Sequence, residues 1–340
     1  MRKITLIVLL VWASYGCAPV SSVPPTPAPK KNEVPLAVEE PEVLKPTLEA
    51  SGALKRGQIE FTMINVGQGD GFILRTSTGI TLVIDAGTGK GGKAIAEFLQ
   101  RERISTVDLL VLTHPHADHI AGVPNIMKAA TVAAAWVSGY ADSTRTQAKV
   151  LEALESSNVP VTAVRRGNKA VLEDAVEITV LAPEDPLIDN SRSDANANSI
   201  VLWIKHGEID FLLTGDAEHE TESRVLEVLR GRPPPEFEVL KVAHHGSRHA
   251  SSKKFLNRVR PQVALISCGL KNRYKHPHPD TLGRLEEFGV QVFRTDLHGM
   301  VQLRSDGENI LIITEKQVQP EPEPGADHGL PGKIGLLRVH

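Results

Sequence analysis

The chain is 340 residues long, 41% hydrophobic, 23% charged and 4% aromatic, with a formal net charge of -3. That composition excludes an intrinsically disordered chain, which lacks the apolar content to bury a core, and no apolar run reaches the ~20 residues of a membrane-spanning helix. The charge excludes nucleic-acid binding by bulk electrostatics while leaving a local basic face open, and two cysteines cannot build a disulfide scaffold.

Arg2 and Lys3 precede an apolar run from Ile4 to Ala13 and then Ser14-Tyr15-Gly16-Cys17, the charged n-region and short h-region of an export signal. Gly16 before Cys17 resembles the lipobox of bacterial lipoproteins, with Ser14 and Tyr15 departing from its usual pattern. Cys17 is therefore the expected lipidation site, anchoring the chain to the cell or outer membrane on its extracytoplasmic side; a plain cleaved signal, or a buried strand with a chance cysteine, is the alternative. Residues 18–57 carry eight prolines and hardly any apolar periodicity, so they read as an extended tether. The tail at 317–340 reads as equally loose, which leaves a folded domain at 58–316. Cys268, inside the apolar run Val263–Cys268, is expected to be a small core residue.

Within that domain the periodicity predicts strands at Ile59–Val66, Phe72–Thr76 and Ile80–Ile84, a helix at Lys93–Arg103 and a strand covered on both faces at Val107–Leu112. A helix at 143–157 and strands near 161–164 and 176–181 follow. Ile200–Ile204 and Phe211–Thr214 form a hairpin around Lys205–Glu208, and a helix runs from Ala217 to Leu229. Further strands are expected at 239–242, 263–267, 291–294, 300–304 and 309–314, with helices near 251–259 and 280–287. Two sheets with helices outside them, an α/β layering, is the expected class.

Eight of the thirteen histidines fall in three clusters, at 114/116/119, 244/245/249 and 276/278. Thr113-His114-Pro115-His116-Ala117-Asp118-His119 leaves an apolar strand directly, so a single loop can turn three imidazoles and a carboxylate toward one point; borderline cations such as zinc prefer those ligands. Asp85 and Asp216 each stand where a buried strand stops, at the sheet edge, although Asp216 also suits a helix N-cap. His244-His245-Gly246-Ser247 follows another strand, and one of its imidazoles can complete a metal site. The Gln68-Gly69-Asp70 loop either reaches the same edge or serves as a turn.

These residues together resemble the metallo-β-lactamase superfamily. Asn65–Asp70, Asn196–Leu202, Leu213–Asp216, Leu240–Ser247, His276-Pro277-His278-Pro279 and Arg294-Thr295-Asp296 resemble, more narrowly, the C-terminal domain of ComEC-type DNA-uptake competence proteins. The resemblance covers about 58–306 and implies a four-layer αββα sandwich with a metal site at one edge. It implies that His114 and His116 hold one divalent ion and Asp118 and His119 a second. Asp216 would bridge the two, one of His244/His245 would finish the second site, and Asp85 would brace the first cluster. One departure stands out: superfamily members carry another histidine between the first cluster and the bridging aspartate. Here the only candidates are His206, in a hairpin turn, and His219, inside a helix, and the place looks occupied by Ser193–Asn198. One or two ions, zinc or manganese, are expected, oxygen ligands moving preference toward manganese or magnesium.

A bound cation of this kind lowers the pKa of water toward neutrality, which suits hydrolysis. From Lys241 to Lys275 there are nine Lys or Arg and no Asp or Glu, a stretch suited to phosphate contact, although Lys253, Lys254 and Arg258 would also suit a solvated helix face. Asp118, Asp85, His276 and His278 are the expected catalytic groups, His276 and His278 either handling a proton or a phosphate or ordering their proline-rich loop. Ser247, Asn196, Asn198, Lys253 and Lys254 are expected to meet substrate. The reading is a metal-dependent phosphodiesterase acting on DNA; the alternatives are a hydrolase of another extracytoplasmic ester, such as a phosphocholine ester or lactone, and a catalytically silent DNA-binding module on the envelope.

Overall fold

The strands expected from apolar runs form because nearly every one is covered on both faces. A computed structural model of the chain describes residues 6–8, 52–173, 175–230 and 237–317. Its first half runs β1 (Leu6–Val8), β2 (Ile59–Met63), β3 (Phe72–Thr76), β4 (Thr81–Ile84), α1 (Gly89–Arg101), β5 (Thr106–Val107), β6 (Leu109–Leu112), α2 (Ala117–Ile120), α3 (Val123–Ala129), β7 (Thr131–Val132), β8 (Ala135–Val137), α4 (Arg145–Ser156) and β9 (Val161–Ala163). The second half runs β10 (Lys169–Leu172), β11 (Val176–Ala182), α5 (Asp194–Ala197), β12 (Val201–His206), β13 (Ile209–Leu213), α6 (His219–Val228), β14 (Val239–Lys241), α7 (Lys253–Val259), β15 (Val263–Ile266), α8 (Pro279–Glu287), β16 (Gln291–Arg294), α9 (Thr295–His298), β17 (Val301–Ser305) and β18 (Ile310–Thr314).

Two large sheets result, ordered β1-β18-β17-β2-β3-β4-β6-β8-β9 and β10-β11-β12-β13-β14-β15-β16. Between them lies a core built from both, in which Phe61 of the first sheet meets Phe72 at 5.5 Å and Phe211 of the second at 5.3 Å, ring centre to ring centre. The outer face of the first sheet buries Ile95, Phe98 and Leu99 of α1, Ile126 of α3, and Val150 and Leu154 of α4. The outer face of the second buries Val225 of α6, Phe255 and Leu256 of α7, and Leu285 of α8. Helices, sheet, sheet and helices make the four-layer αββα sandwich. No described helix is long and apolar enough to cross a membrane.

Two local differences from the sequence reading have physical causes. The expected strand Val107–Leu112 is divided into β5 and β6, because Asp108 Oδ2 accepts from the Thr81 amide (2.8 Å) and interrupts the ladder. Helices α2 and α3 were not anticipated, since α2 is a single turn inside the histidine cluster and α3 opens with Val123-Pro124, whose proline suits a first helical turn. The start of α3 lies close against α1 because the crossing point is glycine on both sides: a Cβ on Gly92 of α1 would fall 2.3 Å from the Cα of Gly122. Strand β1 lies parallel to β18, within the segment expected to be an export signal. Cys17, the proline-rich stretch and the tail lie outside the described residues.

Candidate metal centre

Chain direction brings the candidate ligands to one rim. Strands β4 and β6 are parallel neighbours in one sheet, and β13 and β14 are parallel neighbours in the other. Asp85, the 114–119 cluster, Asp216 and His244-His245 each follow the C-terminal end of one of these strands, where α/β sheets commonly bind ligands. Asp70 arrives from the loop between β2 and β3. That loop passes so close under Asp118 that a Cβ on Gly69, whose φ is +127°, would stand 2.1 Å from the Asp118 carbonyl oxygen. Only glycine fits there.

Asp216, 2% exposed, is the hub. Its Oδ2 lies 3.3 Å from His119 Nε2, 3.4 Å from His245 Nε2, 3.8 Å from His244 Nε2 and 3.9 Å from His114 Nε2. Behind each ring a second group holds Nδ1. Asp85 Oδ2 accepts from His119 Nδ1 at 2.7 Å, the Ser267 carbonyl from His245 Nδ1 at 2.9 Å, and Glu218 Oε1 from His244 Nδ1 at 2.7 Å; Thr113 Oγ1 lies 3.2 Å from His114 Nδ1. Asp85 is itself fixed in the left-handed region, φ 58°, with its carboxylate also accepting from the Thr113 amide and hydroxyl. It sits behind the ring of His119. His244 and His245 are consecutive left-handed residues, φ 48° and 53°. Such conformations cost on the order of 1–3 kcal/mol each and cluster at functional sites.

The inward Nε2 atoms of His114, His119 and His245 are buried and have no hydrogen-bond partner. Ligand atoms of Asp70, His119, Asp216 and His245 all lie within 4.8 Å of one another. Buried imidazole nitrogens and carboxylates turned toward a common point, oriented from behind, are the donor set a divalent cation needs. His116 and Asp118 complete the rim in half-buried positions. The His116 ring meets His114 edge-on at 4.7 Å, and Asp118 Oδ2 lies 3.5 Å from His245 Nε2.

The electrostatics follow from burial and proximity. Burial lowers the His114 pKa, and His119 beside it lowers it further. For His119 and His245 burial also acts downward, but the Asp216 carboxylate, joined by Asp85 and Asp70 respectively, outweighs it and raises both well above the ordinary histidine value. Burial alone would raise Asp216 and Asp118; the surrounding imidazoles hold both well below the usual carboxylate range.

Among the other expected residues, Asn196 lies at the centre, its Nδ2 3.3 Å from His244 Nδ1. His276 lies at the mouth, 5.4 Å ring to ring from His244. His278 caps α8, its Nδ1 accepting from the Asp280 amide at 3.1 Å, and its Nε2 meets Arg248. Ser247 is buried; its hydroxyl accepts from the His249 amide. Asn198 does not face the cavity, because its amide is engaged by Ile188 and Asp194. Lys253 is exposed and pairs with Glu287, and Lys254 is exposed beside it on α7. Neither candidate for the missing histidine is at the hub: His206 Nδ1 lies 2.9 Å from Ser305 Oγ between the sheets, and His219 opens α6.

Two site residues were misjudged from sequence. Lys241, counted in the basic run, is 1% exposed and contacts Asp70 Oδ2 at 2.6 Å and Asp216 Oδ1 at 3.5 Å, so it faces the hub from within the protein and offers nothing to an external phosphate. A lysine inside the apolar strand Val239–Val242 was the available signal. Glu218 was not anticipated; its burial two residues after Asp216 shows only in three dimensions.

The family model for the metallo-beta-lactamase superfamily matches residues 64–270. "ComE operon protein 3" of Bacillus subtilis is 33% identical over 263 residues, 72% of this chain and 33% of that protein, and "Recombination protein 2" of Haemophilus influenzae is 30% identical over 248 residues, 71% and 28% respectively. The chain thus spans about a third of the length of these curated relatives. The solved structure of CmlA, a diiron beta-hydroxylase from Streptomyces venezuelae, is similar in fold alone, with a TM-score of 0.51 and 16% identity over 74% of this chain and 55% of that one. With its four-layer sandwich, its histidine-ringed aspartate and this match over more than half its length, the chain belongs to the metallo-β-lactamase superfamily and resembles within it the ComEC-type domain of competence proteins.

Proposed function

We propose that this chain is an exported, lipid-anchored phosphodiesterase that hydrolyses DNA with one or two divalent ions, zinc or manganese. The observation that carries the reading is the set of four imidazole Nε2 atoms aimed at one oxygen of Asp216, each ring held from behind. A cation held there supplies Lewis acidity and makes water nucleophilic near neutral pH. Asp118, half-buried at the rim with its Oδ2 3.5 Å from His245 Nε2, would hold the cation or accept a proton from the nucleophile. Burial and the nearby His244 and His245 push the His276 pKa down to about 4, so at neutral pH its imidazole is uncharged and offers one N–H to a phosphate oxygen.

Phosphate as the substrate group is supported by the mouth. The loop at 269–276 contacts the Asp70 loop through the Gly269 amide and Gln68 Oε1 (3.2 Å) and carries Lys271, Arg273 and Lys275. Tyr274 on it is 48% exposed and stacks on His276 at 5.7 Å, with the Arg273 guanidinium 4.7 Å from its ring centre. Exposed aromatic and arginine side chains beside a basic loop suit single-stranded nucleic acid. The names of the relatives, a competence operon product and a recombination protein, agree with a nucleic-acid substrate.

A second reading has one observation behind it. A cavity of about 180 Å³, lined by His114, Tyr140, Val150 and Leu151 among others, opens beside the hub and is mostly apolar, which suits an ester with an apolar group. The test is cation content of the purified chain alongside degradation of end-labelled DNA with zinc, manganese or EDTA. Cation-dependent cleavage abolished by Asp118→Ala supports the nuclease. Bound cation without cleavage selects the ester hydrolase, and DNA binding without cation selects the silent module.

A further inference from the structure

We propose that both histidines of the His244-His245 pair are ligands, His244 standing in for the superfamily histidine missing between the first cluster and Asp216, with Glu218 and Arg192 as its positioning residues. The inference rests on the metal-dependent reading of the centre. The tight group of Asp70, His119, Asp216 and His245 makes one cation position. Outside that group, His244 Nε2 approaches Asp216 Oδ2 at 3.8 Å, as closely as His114 Nε2 does at 3.9 Å. His244 would therefore add an imidazole to those of His114 and His116 in a second position at Asp216.

Three features say that this placement is built. The 2.7 Å contact to Glu218 fixes the tautomer: Nδ1–H donates to the carboxylate, so Nε2 presents its lone pair toward Asp216. Glu218 is 3% exposed and is gripped by Arg192, whose Nε lies 2.9 Å from Oε2. The arrangement repeats, on the opposite sheet, the one by which Asp85 holds His119 at the same 2.7 Å. Finally, His244 takes a left-handed conformation immediately before another left-handed residue. In this turn both rings point their Nε2 atoms at one oxygen, Asp216 Oδ2, at 3.8 Å and 3.4 Å. The Asn196 side chain, whose Nδ2 lies 3.3 Å from His244 Nδ1, leaves its Oδ1 buried without a hydrogen-bond partner.

The experiment strips the full chain with EDTA, reloads it with Zn²⁺ or Mn²⁺ alone, and counts bound ions by mass spectrometry, with affinities from a chromophoric chelator. We expect two equivalents in the wild type and one in each of His244→Ala and His245→Ala. Glu218→Gln, which keeps the shape but loses the charge, is expected to weaken one equivalent by roughly 10–100-fold, the range for partners of metal ligands. This variant carries the test should His244→Ala fail to fold, as judged by circular dichroism. Wild-type stoichiometry and affinity in both His244→Ala and Glu218→Gln overturn the inference and leave the metal-dependent reading standing. A wild type that binds no cation overturns both.

Discussion

Replacing Lys241 by methionine removes an ammonium from between two carboxylates while keeping an unbranched side chain of similar length. The Lys241–Asp70 contact is 2.6 Å and both side chains are 1% exposed. Burial pushes the ammonium pKa down, and the Asp70 and Asp216 carboxylates more than reverse it. A buried pair of this kind adds little net stability over an apolar pair, but deleting one partner strands the other, at about 3–5 kcal/mol. Asp70 keeps His245 Nδ1 at 3.3 Å and His119 Nδ1 at 3.8 Å, so the lower end, about 3 kcal/mol, is expected. At about 2–4 °C per kcal/mol for a domain of this size, the metal-free melting temperature falls by about 6–12 °C. The assay is thermal and urea unfolding in EDTA followed by circular dichroism, for Lys241→Met, Asp70→Asn and the double variant. The double variant is expected to recover at least about 1 kcal/mol relative to the sum of the singles, within the range for contacting residues. Strict additivity, or a Lys241→Met change below about 1 kcal/mol, refutes the buried-pair argument.

Phe211→Ala, at the contact between the sheets, is expected to cost about 3–5 kcal/mol in urea unfolding, because the ring is fully buried against Phe61. Burial beside Asp296 pushes the Cys268 thiol up to about 12, so iodoacetamide at pH 8 should leave the Cys268 peptide unmodified in the folded chain and alkylate it in denaturant. For His276 the folded pKa of about 4 lies below the ordinary 6.5. Its contribution to stability is therefore complete above pH 6.5 and lost as pH falls toward 4. The metal-free wild type should lose more stability over that interval than His276→Asn; equal slopes would discount the group. His119 and His245 are raised well above 6.5 by the carboxylates around them, and a cation needs their Nε2 atoms unprotonated. Cation uptake should release protons and tighten as pH rises, which calorimetry in buffers of different ionisation enthalpy measures.

What the sequence made legible depended on how local the signal was. Strand β3 at Phe72–Thr76 was placed to the residue because turn residues bound it on both sides. The His114–His119 ligands were legible because four candidate groups fall within six residues of one strand end. Sheet order was not: β17 pairs with β2 across more than 230 residues of sequence, and neither strand carries a mark of its partner. Asp70 and Glu218 were obscured for the same reason. A Gly-Asp pair suits any turn, and a glutamate at the start of a helix is ordinary; only the opposing loops reveal the Lys241 and His244 contacts. The extra brace on His244 is thus a property of the packed sandwich.

That dependence links the core to the centre. Asp70, Asp85, His114 and His119 belong to the first sheet, while Asp216, Lys241, His244 and His245 belong to the second. Neither sheet supplies a closed ligand set by itself, so the distances around Asp216 are set by how Phe61, Phe72 and Phe211 seat one sheet on the other. Before a cation binds, the carboxylates at this seam are balanced by Lys241 from below and by the protons on His119 and His245 from above. A cation held here would take the place of the protons but not of Lys241, which contacts Asp70 and donates to the Gly215 carbonyl as well. The ammonium ties Asp70 of one half to Asp216 and Gly215 of the other in the metal-free state, and a cation held by both halves would add stability by mass action, about 2.7 kcal/mol at a hundredfold excess over its dissociation constant.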